Sequence, residues 1–153
     1  MPHIHELYDF VNSVYIVHDN KVLLVNHPRY GLWIPIGGHI ELDEHPDQTL
    51  VREVAEETGL TVRFLGEKPD VPSRLGNFMT TPHYMHAHDA NAPHRHIALV
   101  YFAVTDSNAF VLSDEHTAAA WVSEAELTSE MYHLTEDVVF LSRKALKAAK
   151  LDK

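Results

Sequence analysis

Apolar and polar positions along this chain follow two periods, and the switches between them mark out the predicted elements. Val11–His18 (VNSVYIVH) is apolar and rich in β-branched residues, and the turn-forming Asp19-Asn20 separates it from the apolar Val22–Val25. That is the pattern of a β-hairpin. Pro28–Gly31 reads as a loop, and Leu32–Ile36 as a short buried strand ending at Gly37-Gly38. A helix is predicted from Pro46 to Thr58, with proline at its first position and Gly59 just past its end. His45 falls at the N-cap, where it is a poor cap, while Asp47 suits the helix dipole.

Leu60–Gly66 reads as another strand, and Lys68–Asn91, rich in Pro, Asp, Asn and His, as a long irregular connection or an extended hairpin. His96–Val104 (HIALVYFAV) carries the strongest strand signal in the chain. Ala118–Val122 is a short strand, Glu124–Leu127 a helical turn, and Leu134–Leu151 a terminal helix. In that helix Val138, Val139, Leu141, Ala145, Leu146 and Ala149 recur among charged positions. No repeat, linker or low-complexity segment breaks the series. The order predicts one α/β domain over residues 1–153, a sandwich of helices on a mixed β-sheet.

Composition narrows the function class. A chain of 153 residues can bury a real core, and 45% hydrophobic with 22% charged residues is ordinary for a soluble protein. With no cysteine it has neither a disulfide framework nor a thiolate nucleophile. No apolar run approaches the roughly 18 residues of a membrane span. The start, MPHIHELYDF, lacks the basic and apolar regions of a signal peptide, so a cytoplasmic location is expected by default. A net charge of −10 argues against broad binding to nucleic acid or anionic membranes. It leaves room for a polyanion bound locally under metal ions. The 13 histidines, many of them between His83 and His96, read either as a metal cluster or as chance enrichment on a solvent-facing strand.

The most informative segment is Gly38–Leu60 (GHIELDEHPDQTLVREVAEETGL). On a helical projection Arg52, Glu53, Glu56 and Glu57 span an arc of about 140°. Leu50, Val51, Val54, Ala55 and Thr58 take the remainder and are expected to pack on the sheet. Three carboxylates so close repel one another unless cations occupy the site. Mg²⁺ suits them, because it accepts a few carboxylates, keeps waters and shares phosphate oxygens. Gly37-Gly38 lets backbone approach a ligand and can lend a carbonyl to a metal. Glu41 and Glu44 could fold back toward the helix, and Arg52 is expected to orient Glu53 or Glu56. A solvated acidic helix face would need neither the glycines nor the spacing.

These residues resemble the Nudix box, Gly-x5-Glu-x7-Arg-Glu-U-x-Glu-Glu-x-Gly-U with U apolar, at every defined position. They are Gly38, Glu44, Arg52, Glu53, Val54, Glu56, Glu57, Gly59 and Leu60. Trp33–Gly38 (WIPIGG) is similar to the family's strand entering the box, and Ala120–Leu127 (AWVSEAEL) to its Trp-containing strand and turn. Two undefined positions depart from frequent usage: Asp43 replaces a glycine before the first box glutamate, and Ile36 separates Pro35 from the double glycine.

The resemblance implies an α/β/α sandwich and Mg²⁺- or Mn²⁺-dependent hydrolysis of a nucleoside diphosphate linked to another group. It implies that Glu53, Glu56 and Glu57 hold metal, with Glu53 or a loop acid helping to deprotonate water. The Gly38 carbonyl becomes a candidate further ligand, and Glu44 and Arg52 supports of the loop–helix geometry. Glu115, six residues before Trp121, matches a place where similar pyrophosphatases often carry another metal-binding or basic glutamate.

Substrate choice lies outside the box. A proline about fifteen residues beyond it would suggest ADP-ribose, but Leu75 stands there, with Pro72 and Pro82 off register; no coenzyme A signature is visible. The expected partner is a small nucleotide, a nucleoside triphosphate or a relative, with a homodimer left open. A nucleotide-binding or regulatory domain without turnover is the alternative. Isoprenoid diphosphate isomerisation is disfavoured by the lack of cysteine, and RNA decapping by the acidic charge. His83, His86, His88, His94 and His96 could contact substrate or metal, and Tyr30, Trp33, Phe78 and Tyr84 could stack on a base. Trp121 is expected in the core.

Overall fold

The structure, a computed structural model, describes residues 7–152; the reading of the extreme N-terminus falls largely outside them. Seven strands and two helices follow in the order β1 (Tyr8–His18), β2 (Lys21–His27), β3 (Leu32–Ile34), α1 (Pro46–Thr58), β4 (Arg63–Phe64), β5 (Tyr84–Asp89), β6 (Arg95–Val104), β7 (Ala118–Ser123) and α2 (Glu136–Leu151). A 3₁₀ turn, Glu126–Thr128, precedes α2. Among these residues no helix is long and apolar enough to cross a membrane.

The predicted hairpin forms as read. Asp19 and Asn20 both take positive φ, +42° and +59°, and pair Val17 with Val22 across a two-residue turn. β1 then lies parallel to β6 along its length, from Tyr8 opposite Arg95 to Val17 opposite Val104. β5 and β4 share the far edge of β6, and β7 and β3 flank β2.

Alternation along the central strands feeds two cores. Val14 and Ile16 of β1, Leu23 and Val25 of β2, and Tyr101 and Ala103 of β6 point to the α1 side, where Leu50 and Val54 meet them. Tyr15, Val17, Val22, Leu24, Val100 and Phe102 point to the other face, against Val138, Leu141 and Leu146 of α2. A sheet covered on both faces needs apolar residues on both, which is why its strands read as unbroken apolar runs. Each fully buried aliphatic side chain contributes about 1.5–3 kcal/mol. The fold is therefore the α/β/α sandwich implied by the resemblance.

Several boundaries differ from the reading. β3 stops at Ile34 because Pro35 has no N–H for the ladder. The chain then crosses to β1, where Val14 N–H donates to Ile36 O at 2.7 Å and Asn12 N–H to Gly38 O at 2.9 Å. β4 is only two residues long, and β5 emerges within the stretch read as irregular or hairpin.

The packing face of α1 also differs. Val51 is 64% exposed and Ala55 is exposed, whereas Glu57 is 3% exposed. Leu50 centres the buried face, and a residue seven positions on returns to that face, so Glu57 is carried inward. Trp121 sits at the core's edge, half-buried, its indole N–H donating to Asn108 O at 3.0 Å.

Candidate active site

Arg52 ties the loop after the double glycine to α1. Its Nε and Nη2 meet the two oxygens of Glu44 at 2.7 and 2.8 Å, a bidentate pair. Nη1 donates to Glu53 Oε1 at 2.7 Å and to Glu56 Oε2 at 3.3 Å, and Nη2 reaches the His39 carbonyl at 3.1 Å. Arg52 therefore touches both carboxylates it was expected to orient. The Thr49 hydroxyl also donates to Glu44 at 2.7 Å, a contact no sequence feature had flagged. The Arg52 and Thr49 hydrogen bonds hold the Glu44 carboxyl down at about 2, so it stays anionic and anchored. Glu41 lines the nearby cavity, and its N–H donates to Glu44 at 3.4 Å.

The box glycines have distinct roles. A side-chain carbon on Gly38 would lie 2.2 Å from Glu53 Oε1, so this glycine makes room for the carboxylate. Its carbonyl already accepts one hydrogen bond, from Asn12, leaving one lone pair for a cation. Gly59 takes φ +65° and caps α1, donating to Ala55 O at 2.9 Å. Val54 and Leu60, the two apolar box positions, are buried in the α1-side core.

Glu57 is the deepest acid. Gly37 N–H donates to its Oε1 at 3.2 Å, and its Oε2 lies 2.7 Å from His116 Nε2. Burial, with the Glu53 and Glu115 carboxylates nearby, pushes Glu57 up to about 8. Burial and the neighbouring His27 lower His116. Both directions favour a protonated carboxyl donating to a neutral imidazole. The sequence reading missed His116; its position next to Glu115 was the only available signal. Glu115 itself is exposed, on a turn that Ser113 N–H pins to Glu57 O at 3.2 Å.

Glu57 makes its own contribution to the pH dependence of the metal-free fold. Glu57 is raised in the folded state from its ordinary value of 4.5 to about 8. The folded protein thus keeps a proton that the unfolded chain releases. The stability this confers is complete below about 4.5 and lost as pH rises toward about 8, with a slope of at most about 1.4 kcal/mol per pH unit. Chemical denaturation in chelator should show the stability of the wild type relative to Glu57→Gln falling across that window, over the opposite contribution of the lowered His116. A stability difference between wild type and Glu57→Gln that grew in favour of the wild type from pH 5 to 8 would contradict it.

Glu53, Glu56 and Glu115 line one cavity of about 680 Å³, with Gly38, Tyr30 and His96 also on its wall. That volume suits a nucleotide. Glu57 is a close neighbour of Glu53 but is not on the cavity wall. The donors are all oxygen, and Arg52 is the guanidinium set among them, so a hard divalent cation fits the charge and the chemistry. A larger depression of about 930 Å³ lies against α2, lined by Arg143, Lys144 and Lys147, and contains none of the box acids.

The aromatic candidates divide. Tyr30 lines the cavity, its ring 4.7 Å from that of His27. Trp33 packs on Tyr132, Tyr84 on Phe102 and Phe140, and Phe78 is exposed. His83 stacks on Phe102 at 4.3 Å, away from the carboxylates, while His86, His88, His94 and His96 gather with His39.

A family model described as the NUDIX domain matches residues 10–143. The chain is 31% identical to the CTP pyrophosphohydrolase of Escherichia coli over 120 residues, 76% of each protein. It is 43% identical over 61 residues to the NAD-capped RNA hydrolase NudC of Vibrio atlanticus, spanning only 23% of that protein's length. Among solved structures, a NUDIX-family hydrolase from Clostridium perfringens superposes with a TM-score of 0.80 at 29% identity, covering 92% of this chain and 97% of that one. With the box intact and the domain matched along most of its length, the chain belongs to the Nudix hydrolases, enzymes that act on nucleoside diphosphate-linked substrates.

Proposed function

We propose that this protein is a Mg²⁺-dependent pyrophosphohydrolase that cleaves a phosphoanhydride bond of a small nucleotide, with nucleoside triphosphates as the substrate class. The observation that carries this reading is the convergence of Glu53, Glu56 and Glu115, backed by Glu57, on one nucleotide-sized cavity. Glu53, Glu56 and Glu57 would hold Mg²⁺, with Mn²⁺ as a substitute, and the Gly38 carbonyl and Glu115 are further candidate ligands. The bound ion supplies charge neutralisation for the diphosphate and acidifies a water.

The chain's own residues then position and move protons. Arg52 occupies one oxygen of Glu53 at 2.7 Å, which aims the other, Oε2, as the acceptor for the proton of the attacking water. Attack in line at phosphorus breaks the anhydride bond, and the departing phosphate takes the electron pair. Glu44 holds Arg52 in place from the loop side, and Tyr30 offers a face for the base.

The similarity to a CTP pyrophosphohydrolase over 76% of both chains supports a triphosphate. So does Leu75, fully exposed where an ADP-ribose enzyme would carry proline. The substrate class and the cysteine-free chain suit the cytoplasm. A panel of nucleoside triphosphates, ADP-ribose and NAD-capped RNA with Mg²⁺ tests the reading. We expect pyrophosphate release from at least one triphosphate, abolished by chelator. Cleavage of ADP-ribose or capped RNA with no triphosphate turned over would overturn the substrate class, and activity persisting in chelator would overturn the metal.

A further inference from the structure

The cavity wall carries a second set of ligating side chains that the proposed hydrolysis does not use. Strand register builds it. Asp9 of β1 faces His96 of β6, and His96 in turn faces His88 of β5, placing three such side chains in one row across three strands. His39 joins the row because its loop is laced to β1: Ile40 N–H donates to Phe10 O and Asn12 N–H to Gly38 O, both at 2.9 Å.

The donor atoms lie close together. His39 Nε2 is 3.2 Å from His96 Nε2 and 3.7 Å from Asp9 Oδ2, and one ligand atom from each of the three residues lies within 4.8 Å of the others. Four-coordinate zinc, with bonds of about 2.0–2.1 Å, places neighbouring donors roughly 3.3 Å apart. The Nε2–Nε2 separation is already that of two ligands on one ion.

The ligands are also backed from behind. His96 Nδ1 is 3.3 Å from His88 Nε2, so an Nδ1–H donated there leaves the Nε2 lone pair facing His39. His88 lies against the His86 ring at 5.0 Å, and His94 Nε2 contacts Asp9 Oδ2. Metal-ligating imidazoles use such outer partners to fix tautomer and ring orientation. A row of histidines enriched by chance on an exposed strand would not be expected to supply them.

We propose that Asp9, His39 and His96 bind a d-block divalent cation, Zn²⁺ above all, at a site separate from the box carboxylates. Two imidazoles and one carboxylate select such an ion over Mg²⁺, which prefers oxygen donors. Three protein donors leave one position for water or for a phosphate oxygen of the cavity's ligand. His39 follows Gly38 directly and its carbonyl takes a hydrogen bond from Arg52, so an ion here holds the loop that seats Glu53.

Equilibrium dialysis of the full chain against Zn²⁺, in a large excess of Mg²⁺ to occupy the box, tests the site. One Zn²⁺ per chain should be retained by the wild type and by Glu57→Gln, and lost in His39→Gln and His96→Gln. His88→Ala should weaken binding roughly 10- to 100-fold. Co²⁺ in place of Zn²⁺ should give visible absorption bands in the wild type that His39→Gln removes. His39 is exposed, so its variant decides the matter even if His96→Gln misfolds. Zn²⁺ held unchanged by His39→Gln, or displaced from the wild type by Mg²⁺, would overturn the proposal. Zn²⁺ retained by Glu57→Gln as hydrolysis is lost separates this site from the hydrolytic one.

Discussion

Glu57→Gln should lower nucleotide turnover by about 10³-fold while leaving the protein folded. Glutamine preserves the shape of the site. Its Oε1 can accept the Gly37 N–H now 3.2 Å away, and its amide can donate to His116 Nε2, now at 2.7 Å. What changes is the charge that the deepest acid can offer a cation once its proton is displaced. On the proposed role of Glu57 as a metal ligand, its loss removes several kcal/mol of charge stabilisation, and about 4 kcal/mol corresponds to 10³ in rate. Saturating-Mg²⁺ turnover and a thermal melt together check this. Turnover close to that of the wild type would remove Glu57 from the metal site.

How far the sequence could be read shows in this same residue. The ends of α1 were legible because Pro46 and Gly59 are backbone signals, independent of what packs on the helix. The two-sided core was legible too, since a sheet covered on both faces leaves continuous apolar runs in β1, β2 and β6. The direction α1 faces was not. A helical projection gives relative angles only, and grouping by polarity sent Val51 and Ala55 inward and Glu57 outward, since charged residues are rarely buried. The structure reverses this because Glu57 has buried partners, Gly37 N–H and His116, contributed by distant segments.

Non-local pairing hid the rest. His116 and Glu57 are 59 residues apart, and only the turn pinned to the end of α1 brings them together. The grouping of His39 with His88, His94 and His96 depends on β1 lying beside β6 and β5 on its other edge, a register that periodicity does not specify. Within the box, by contrast, loop and helix are close in sequence. The meeting of Arg52 with Glu53 and Glu56 could therefore be anticipated from spacing, though its bidentate grip on Glu44 was visible only in the folded loop.

Alanine at the two adjacent glycines should separate stability from activity. At Gly37 the backbone takes φ +151°, and a side-chain carbon would lie 2.0 Å from Asn12 O, part of the backbone of a buried strand residue. Neither can yield cheaply, so Gly37→Ala should cost about 3 kcal/mol and lower Tm by roughly 6–12 °C. At Gly38 the obstruction is the Glu53 carboxylate, with Oε1 at 2.2 Å and Cδ at 2.5 Å. That carboxylate ends a flexible side chain and can swing aside, so Gly38→Ala should leave Tm nearly unchanged. The displaced group, held by Arg52 at 2.7 Å, is the one proposed to take the proton of the attacking water, and a misplacement of about 1 Å costs on the order of 10²-fold in rate. Melting curves and kcat/KM for both variants give the comparison. A Gly38→Ala enzyme with wild-type kcat/KM would mean that Glu53 need not occupy the place this glycine leaves for it.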